Sequence, residues 1–280
     1  MPRYQLLAID IDGTLVNSRD ELTPVVRDAL RRAAVAGVRL VLATGRRYSR
    51  ALPLVEPLGI EAPIVSAAGA LIKDALDHRT LHQANFERAD LVQALSVVAA
   101  HGCDAVLYTD SYAEGFDFYC PTLSVAEPTL AEYYELNPDC ARVQSDLMAN
   151  PPPGIFGGFA MGTRERMLEL HAALQAAVPG KLYTHVLRSP KYRGFMCELA
   201  PAGATKWSGI RRLADDWNIP NEAICAVGDD VNDLPMVIEA GLGVAMGNAV
   251  EELKQAADRI APDHDADGLA EVVRWILDEE

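Results

Sequence analysis

The first strand candidate already restricts what this chain can become. Residues 6–11 read Leu-Leu-Ala-Ile-Asp-Ile, with apolar side chains at both odd and even positions. Successive side chains of a strand point to opposite faces, so this strand must be covered on both sides. Parallel sheets meet that demand, because their crossover connections lay helices over both faces. The run ends in Asp10-Ile11-Asp12-Gly13. Two carboxylates two residues apart are expected to share one side at the strand's carboxyl end, where open α/β sheets bind ligands. Their repulsion calls for a shared proton or a cation. Taken alone, the same residues also fit a solvated Asp-Gly turn.

The strand–helix rhythm continues from there. Thr23-Pro24 reads as an N-cap followed by proline at the first helical position. Val25, Val26, Ala29, Leu30, Ala33 and Ala34 recur at helical spacing and Gly37 supplies a stop. A second strand over Val38–Ala43 ends in Thr44-Gly45-Arg46. A helix over Arg47–Leu58, weakened by Pro53 and Pro57, leads to a third strand near Pro63–Ser66.

From about residue 81 the pattern changes. A helix over Arg88–Ala100 precedes strands over Ala105–Thr109 and Tyr112–Tyr119. A strand over Ile155–Met161, a helix over Arg164–Val178, and strands near Leu182–Leu187 and Phe195–Leu199 follow. This order predicts an antiparallel sheet with helices on one face. The βα rhythm then returns with a helix over Thr205–Trp217 and a strand over Ala223–Val227 opening into Gly228-Asp229-Asp230. A helix over Asn232–Ala240, a strand over Gly243–Met246 and a helix from Gly268 towards Glu280 complete it. The expected organisation is an α/β parallel-sheet core formed by residues 1–80 and 191–280, interrupted by an α+β domain at 81–190.

With 280 residues, half of them hydrophobic, the chain can bury a sizeable core. A formal charge of −15 argues against nucleic acid and anionic membrane surfaces as partners. A small anionic substrate stays compatible, since a few local cations outweigh a distant net charge. The five cysteines are odd in number and never spaced as C-x-x-C, which points to reduced thiols and a cytoplasmic protein. Met1-Pro2-Arg3-Tyr4 runs straight into the first strand with no apolar leader. No stretch approaches the roughly 20 apolar residues of a membrane span. Nothing in the pattern specifies an oligomeric state.

Four polar groups fall where strands end or helices begin: Asp10-x-Asp12, Thr44-Gly45-Arg46, Lys206, and Gly228-Asp229-Asp230-x-Asn232-Asp233. Each alone is ordinary, as a turn, a solvated helix charge or a helix cap. The six histidines show no paired-ligand spacing, and Gly241-Leu242-Gly243 lacks a third glycine for dinucleotide binding.

Together and in this order, the four groups resemble the haloacid dehalogenase (HAD) superfamily of phosphatases. The likeness is to its Cof-like branch, which has a Rossmann-like core and a large C2B-type α+β cap. Tyr108-Thr109-Asp110, Met246-Gly247-Asn248-Ala249 and Asp267-Gly268-Leu269-Ala270 strengthen it. The resemblance implies a Mg2+-dependent phosphatase of a small phosphorylated metabolite, a sugar phosphate, acting through an aspartyl-phosphate. Asp10 is then the nucleophile. Asp12 is the acid and base, which requires it to hold a proton near neutrality. Asp10, the backbone carbonyl of Asp12, and Asp229 hold the metal. Thr44, Gly45, Arg46 and Lys206 bind phosphate or substrate, with Asn232 and Asp233 in support. Alternatives are a phosphosugar mutase or phosphotransferase, a non-hydrolytic Asp-phosphorylated switch, and pyridoxal phosphate or flavin mononucleotide as substrate. Two departures stand out. Ala68-Gly69-Ala70 replaces the Asn-Gly-Ala of many relatives, and Trp207 follows the motif lysine where glycine is common.

Overall fold

Residues 2–188 and 192–278 are described by a computed structural model of the chain. In chain order the first segment supplies β1 (Leu6–Asp10), α1 (Pro24–Val35), β2 (Arg39–Ala43), α2 (Tyr48–Val55), β3 (Ile64–Ser66), β4 (Leu71–Lys73) and β5 (Thr80–Gln83). Next come α3 (Arg88–Ala100), β6 (Val106–Thr109), β7 (Phe118–Cys120), α4 (Pro128–Leu136), β8 (Ala141–Val143), β9 (Ile155–Gly162), α5 (Arg164–Ala177), β10 (Leu182–Leu187) and β11 (Phe195–Pro201). The last segment supplies α6 (Lys206–Asp216), β12 (Ile224–Gly228), α7 (Leu234–Glu239), β13 (Leu242–Ala245), α8 (Glu251–Ala256), β14 (Arg259–Ile260) and α9 (Gly268–Ile276). Two units result, one from the segments up to His82 and from Thr205, the other spanning Gln83–Ala204.

The first unit carries an eight-stranded sheet of order β14-β13-β12-β1-β2-β3-β4-β5. From β14 to β3 all neighbours run parallel, and β4 returns antiparallel to β3. Both faces of β1 are covered, as its sequence demands. Leu6 and Ala8, with Val41 and Val65, pack against Ile210 and Leu213 of α6, Met236 of α7 and Leu253 of α8. Leu7 and Ile9 are fully buried on the opposite side, and α1, which packs on β2 and α9, takes no part in that first cluster. The α1 helix starts as its sequence predicts: Pro24 occupies the first turn and the Thr23 hydroxyl accepts from the Val26 N–H, a cap worth about 1 kcal/mol. Register sets Asp10 beside Ala43 and Ile9 beside Val227, so the carboxyl ends of β12, β1 and β2 come level.

The second unit carries a six-stranded sheet of order β10-β11-β9-β6-β7-β8. It departs from expectation in two respects. Strand pairing is antiparallel except between β7 and β8, which are parallel. Helices also occupy both faces. Leu91 and Leu95 of α3 and Met167 and Leu170 of α5 pack with Leu107, Ala160 and Leu199. Phe159 adjoins Ala160 and so faces the other way, where its ring lies 4.8 Å from that of Tyr133 on α4. The strand expected over Tyr112–Tyr119 begins only at Phe118, because Tyr112–Glu114 form a 3-10 turn closed by left-handed Gly115. The boundary expected between residues 190 and 191 lies outside the described residues. On its far side β11 still pairs with β9 and β10, so the second unit runs on to Ala204.

All five cysteines are free thiols. No helix among the described residues is long and apolar enough to cross a membrane. One turn of the first unit bears directly on the placement of Lys206. After β3, Ala67 and Ala68 adopt φ of 48° and 54°, and Gly69 has φ of 107°. A Cβ at Gly69 would lie 1.9 Å from the carbonyl oxygen of Thr205, so only glycine lets this turn lie against the start of α6. Gly69→Ala is expected to lower stability by about 2 kcal/mol or more, measured by urea unfolding; a loss within experimental error would contradict this role.

Candidate active site

Three strand ends and one helix start converge in the first unit. β1 terminates at Asp10, β2 runs into Thr44, and β12 runs into Asp229. The first turn of α6 is held by a reciprocal cap in which the Thr205 hydroxyl accepts from the Ser208 N–H and the Ser208 hydroxyl from the Thr205 N–H. From that turn Lys206 extends inward. Its Nζ donates to Asp10 Oδ1 at 2.7 Å, Asp233 Oδ1 at 2.7 Å and Asn232 Oδ1 at 3.0 Å, which uses all three ammonium hydrogens. Lys206 and Asp10 are each 3% exposed and Asp233 is fully buried. The second oxygen of Asp233 accepts the backbone N–H groups of Asp229 and Asp230 at 3.0 and 3.1 Å. Asn232 and Asp233 therefore serve Lys206 and the Asp229 turn.

Asp12 is placed differently from expectation. The strand ends at Asp10, and residues 11–15 form a tight turn in which Asp12 and Gly13 depart from helical angles. Period-two geometry no longer applies, and the Asp12 carboxylate is exposed while that of Asp10 is buried. Arg46 holds it. Its Nε donates to Asp12 Oδ2 at 2.8 Å, and one terminal nitrogen donates both to Asp12 Oδ1 and, at 2.8 Å, to Asp20 Oδ1. Burial works against the Arg46 cation, but Asp12 and then Asp20 outweigh it and hold its pKa above the ordinary guanidinium value. Arg46, expected to face substrate, is thus engaged by two carboxylates. Sequence reading had no signal for Asp20.

Thr44 is fully buried. Its Oγ1 accepts the Arg46 N–H at 3.0 Å, which leaves the hydroxyl hydrogen to donate. Between them, a Cβ at Gly45 would meet nothing within 4 Å. Trp207 packs against the core cluster beneath the sheet, with the Arg211 guanidinium 6.0 Å from its ring. Asn248, part of a motif noted in the sequence without a role, donates to the Gly13 carbonyl at 2.8 Å and to Asp229 Oδ2 at 3.4 Å.

Electrostatics define what this arrangement can take. Carboxylate oxygens of Asp10, Asp229 and Asp233 lie within 4.8 Å of one another. Burial lifts the Asp10 pKa well above the usual carboxylate range; Lys206 opposes this, while Asp233 and Asp229 add to it. Asp229 is pushed up to about 7, by burial first and by Asp233 second. Burial also disfavours the Lys206 cation, but Asp10 and Asp233 hold its pKa above the ordinary amine value. One ammonium among three carboxylates leaves two surplus negative charges, which suits a divalent cation. The donors are all oxygens, the choice of hard ions such as Mg2+. Asp233 accepts three hydrogen bonds over its two oxygens, so Asp10 and Asp229 have more acceptor capacity left.

These raised carboxyl groups make the site sensitive to pH. A carboxyl whose folded pKa is raised contributes stability that is full below its unfolded value, 3.8 for Asp229, and is lost as pH rises through about 7. A cation needs the ionised carboxylates and competes with those protons. Millimolar Mg2+ should therefore raise the melting temperature more at about pH 8 than at about pH 5.5, with protons released on binding. Equal increments at both pH values would refute this.

Comparison with known proteins agrees with the geometry. The family of haloacid dehalogenase-like hydrolases matches residues 7–273. Phosphatase YwpJ of Bacillus subtilis is 29% identical over 292 residues, covering 98% of this chain and 100% of that protein. The 5-amino-6-(5-phospho-D-ribitylamino)uracil phosphatase YitU of the same organism is 26% identical over 279 residues, covering 96% of each. The crystal structure of a haloacid dehalogenase-like hydrolase from Bacteroides thetaiotaomicron is similar with a TM-score of 0.80 at 28% identity, over 98% of this chain and 99% of that one. With its acid cluster at the strand ends and a family match spanning nearly its whole length, this chain belongs to the haloacid dehalogenase-like hydrolases and acts on phosphate monoesters.

Proposed function

We propose that the protein is a Mg2+-dependent phosphatase of a small phosphorylated metabolite, a sugar phosphate, working through an aspartyl-phosphate on Asp10. The observation that carries this reading is the buried Asp10 at the end of the central strand, paired through one oxygen with Lys206 and flanked by Asp229. Its second oxygen is the nucleophile. Attack forms the Asp10–phosphorus bond and breaks the ester bond to the leaving oxygen. Lys206 and the Thr44 hydroxyl stabilise negative charge on the phosphoryl oxygens. Asp12 gives a proton to the departing alkoxide and then recovers one from the water that cleaves the aspartyl-phosphate. Before that, Asp12 must exchange its Arg46 contact for a proton from solvent, so Arg46 positions the acid and is at hand for the incoming anion.

Asp10, Asp229 and the backbone carbonyl of Asp12 would hold the Mg2+, which when bound neutralises phosphoryl charge and relieves repulsion between two anions. The unit spanning Gln83–Ala204 is assigned to substrate selection. A relative whose name gives it a phosphorylated ribityl substrate supports a polyhydroxylated leaving group.

Phosphate release from a panel of sugar phosphates, with pyridoxal phosphate and flavin mononucleotide for comparison, ranked by kcat/KM, tests the substrate class; a clear preference for either comparator would displace it. Asp10→Asn should reduce turnover to background, and full activity in that variant would sink the mechanism. In kcat/KM, which reports the steps up to loss of the leaving group, Asp12→Asn should cost about 10²–10⁴-fold with alkyl phosphates and much less with an activated aryl phosphate, whose leaving group needs no proton. Isomerised sugar phosphate without free phosphate would favour a mutase instead.

A further inference from the structure

Two sequence motifs take no part in the chemistry described above, Met246-Gly247-Asn248-Ala249 and Asp267-Gly268-Leu269-Ala270. In the fold they meet beside Asp229. The first forms a turn after β13, closed by the Ala249 N–H on the Met246 carbonyl at 2.9 Å. The Met246 N–H donates to the Gly228 carbonyl at 3.0 Å and the Val250 N–H to the Asp229 carbonyl at 2.9 Å. The turn is therefore bonded to the backbone that carries Asp229.

From this turn the Asn248 side chain reaches three places. Nδ2 donates to the Gly13 carbonyl at 2.8 Å and more weakly to Asp229 Oδ2 at 3.4 Å, while Oδ1 accepts the His264 N–H at 3.1 Å. A backbone N–H only donates and a carbonyl only accepts, so the amide has a single orientation. Gly13 has φ of 76°, and a Cβ there would lie 2.3 Å from Asp229 Oδ2. The turn after Asp12 and the Asp229 carboxylate thus touch, and Asn248 spans the contact.

Its anchor is itself braced. The Gly247 N–H donates to the Pro262 carbonyl at 3.2 Å and the Gly268 N–H to the Asp263 carbonyl at 3.1 Å. Asp263 Oδ1 accepts the Asp265 N–H at 2.8 Å, Asp265 Oδ1 accepts the Ser18 N–H at 2.8 Å, and Asp267 Oδ1 accepts the Thr23 hydroxyl at 2.5 Å.

We propose that Asn248 is a positioning residue for the cation site: it fixes the Asp229 carboxylate against the Asp12–Gly13 turn, with the 263–268 loop as its anchor. The inference rests on the cation reading of the Asp10–Asp229 cluster. Side chains that orient metal ligands are worth about 10–100-fold in metal affinity or activity, because a ligand free to rotate must be ordered when the ion binds.

The test compares metal-free wild type with Asn248→Ala, Asn248→Ser and, as a comparison, Leu58→Ala. Mg2+ affinity is read by titration calorimetry and by the Mg2+-induced melting shift, apart from any activity. The two Asn248 variants should bind Mg2+ at least about tenfold more weakly. In phosphate release they should show a raised Mg2+ activation constant, with kcat at saturating Mg2+ and substrate KM within about threefold of wild type. Leu58→Ala empties a fully buried site away from the 263–268 loop, so it should melt lower with Mg2+ affinity unchanged. Should Asn248→Ala not fold, Asn248→Ser decides. Asn248 variants that bind Mg2+ as wild type does, or that merely melt lower as Leu58→Ala does, overturn this proposal alone. A wild type that binds no Mg2+ overturns it together with the cation reading.

Discussion

Everything at this site depends on one buried ammonium. Lys206 ties the end of β1, the start of α6 and the turn after β12 together by charge-assisted bonds to Asp10, Asp233 and Asn232. Desolvating a charge is tolerated only when its partners are close and well oriented, and removing one partner of a buried pair commonly costs about 3–5 kcal/mol. The surroundings are arranged accordingly. The reciprocal Thr205–Ser208 cap fixes the turn that presents Lys206. Gly69 allows the loop after β3 to lie against that same turn. Asp233 is held at its other oxygen by two backbone N–H groups.

The balance of charge around that ammonium is incomplete. Three carboxylates face one cation; burial first, and the neighbouring carboxylates in addition, raise the pKa values of Asp10 and Asp229. A structural ion pair alone has no need of such an excess, whereas a site that must accept a divalent ion and an anionic ester does. Asp12 stands outside this balance. Its charge is met by Arg46, which is met in turn by Asp20. Asp10 and Asp12, two residues apart in sequence, thus occupy separate electrostatic environments, a condition for the proposed division of nucleophile and acid between them.

Much of this architecture was legible because it rests on local patterns. The doubly apolar strand at Leu6, the Thr23-Pro24 cap and the helix over Arg88–Ala100 all express short-range preferences of backbone and side chain. The elements misjudged are those whose form depends on distant partners. Strand β8 spans only Ala141–Val143, and it exists because β7 offers its edge. Helix α4 has only a short buried stripe, Leu130, Tyr133 and Tyr134, and its place is set by the aromatic face of β9. Strand β11, by contrast, is expected in the antiparallel sheet and lies there, its ladder with β9 and β10 carrying the second unit past residue 190.

The parallel α/β sheet, its interruption by a second unit, and the identity of the residues gathered at the strand ends all follow from the order of residues along the chain. Apolar periodicity and turn chemistry are written residue by residue, so they survive without coordinates. Only the tertiary structure decided how those residues share their charges. It placed Asn232 and Asp233 on Lys206, turned Asp12 out to Arg46 and Asp20, and set Asn248 across the contact between Gly13 and Asp229. Hydrogen bonds and ion pairs between residues 196 and 235 positions apart depend on distances of a few ångströms, and only the packed chain sets those distances.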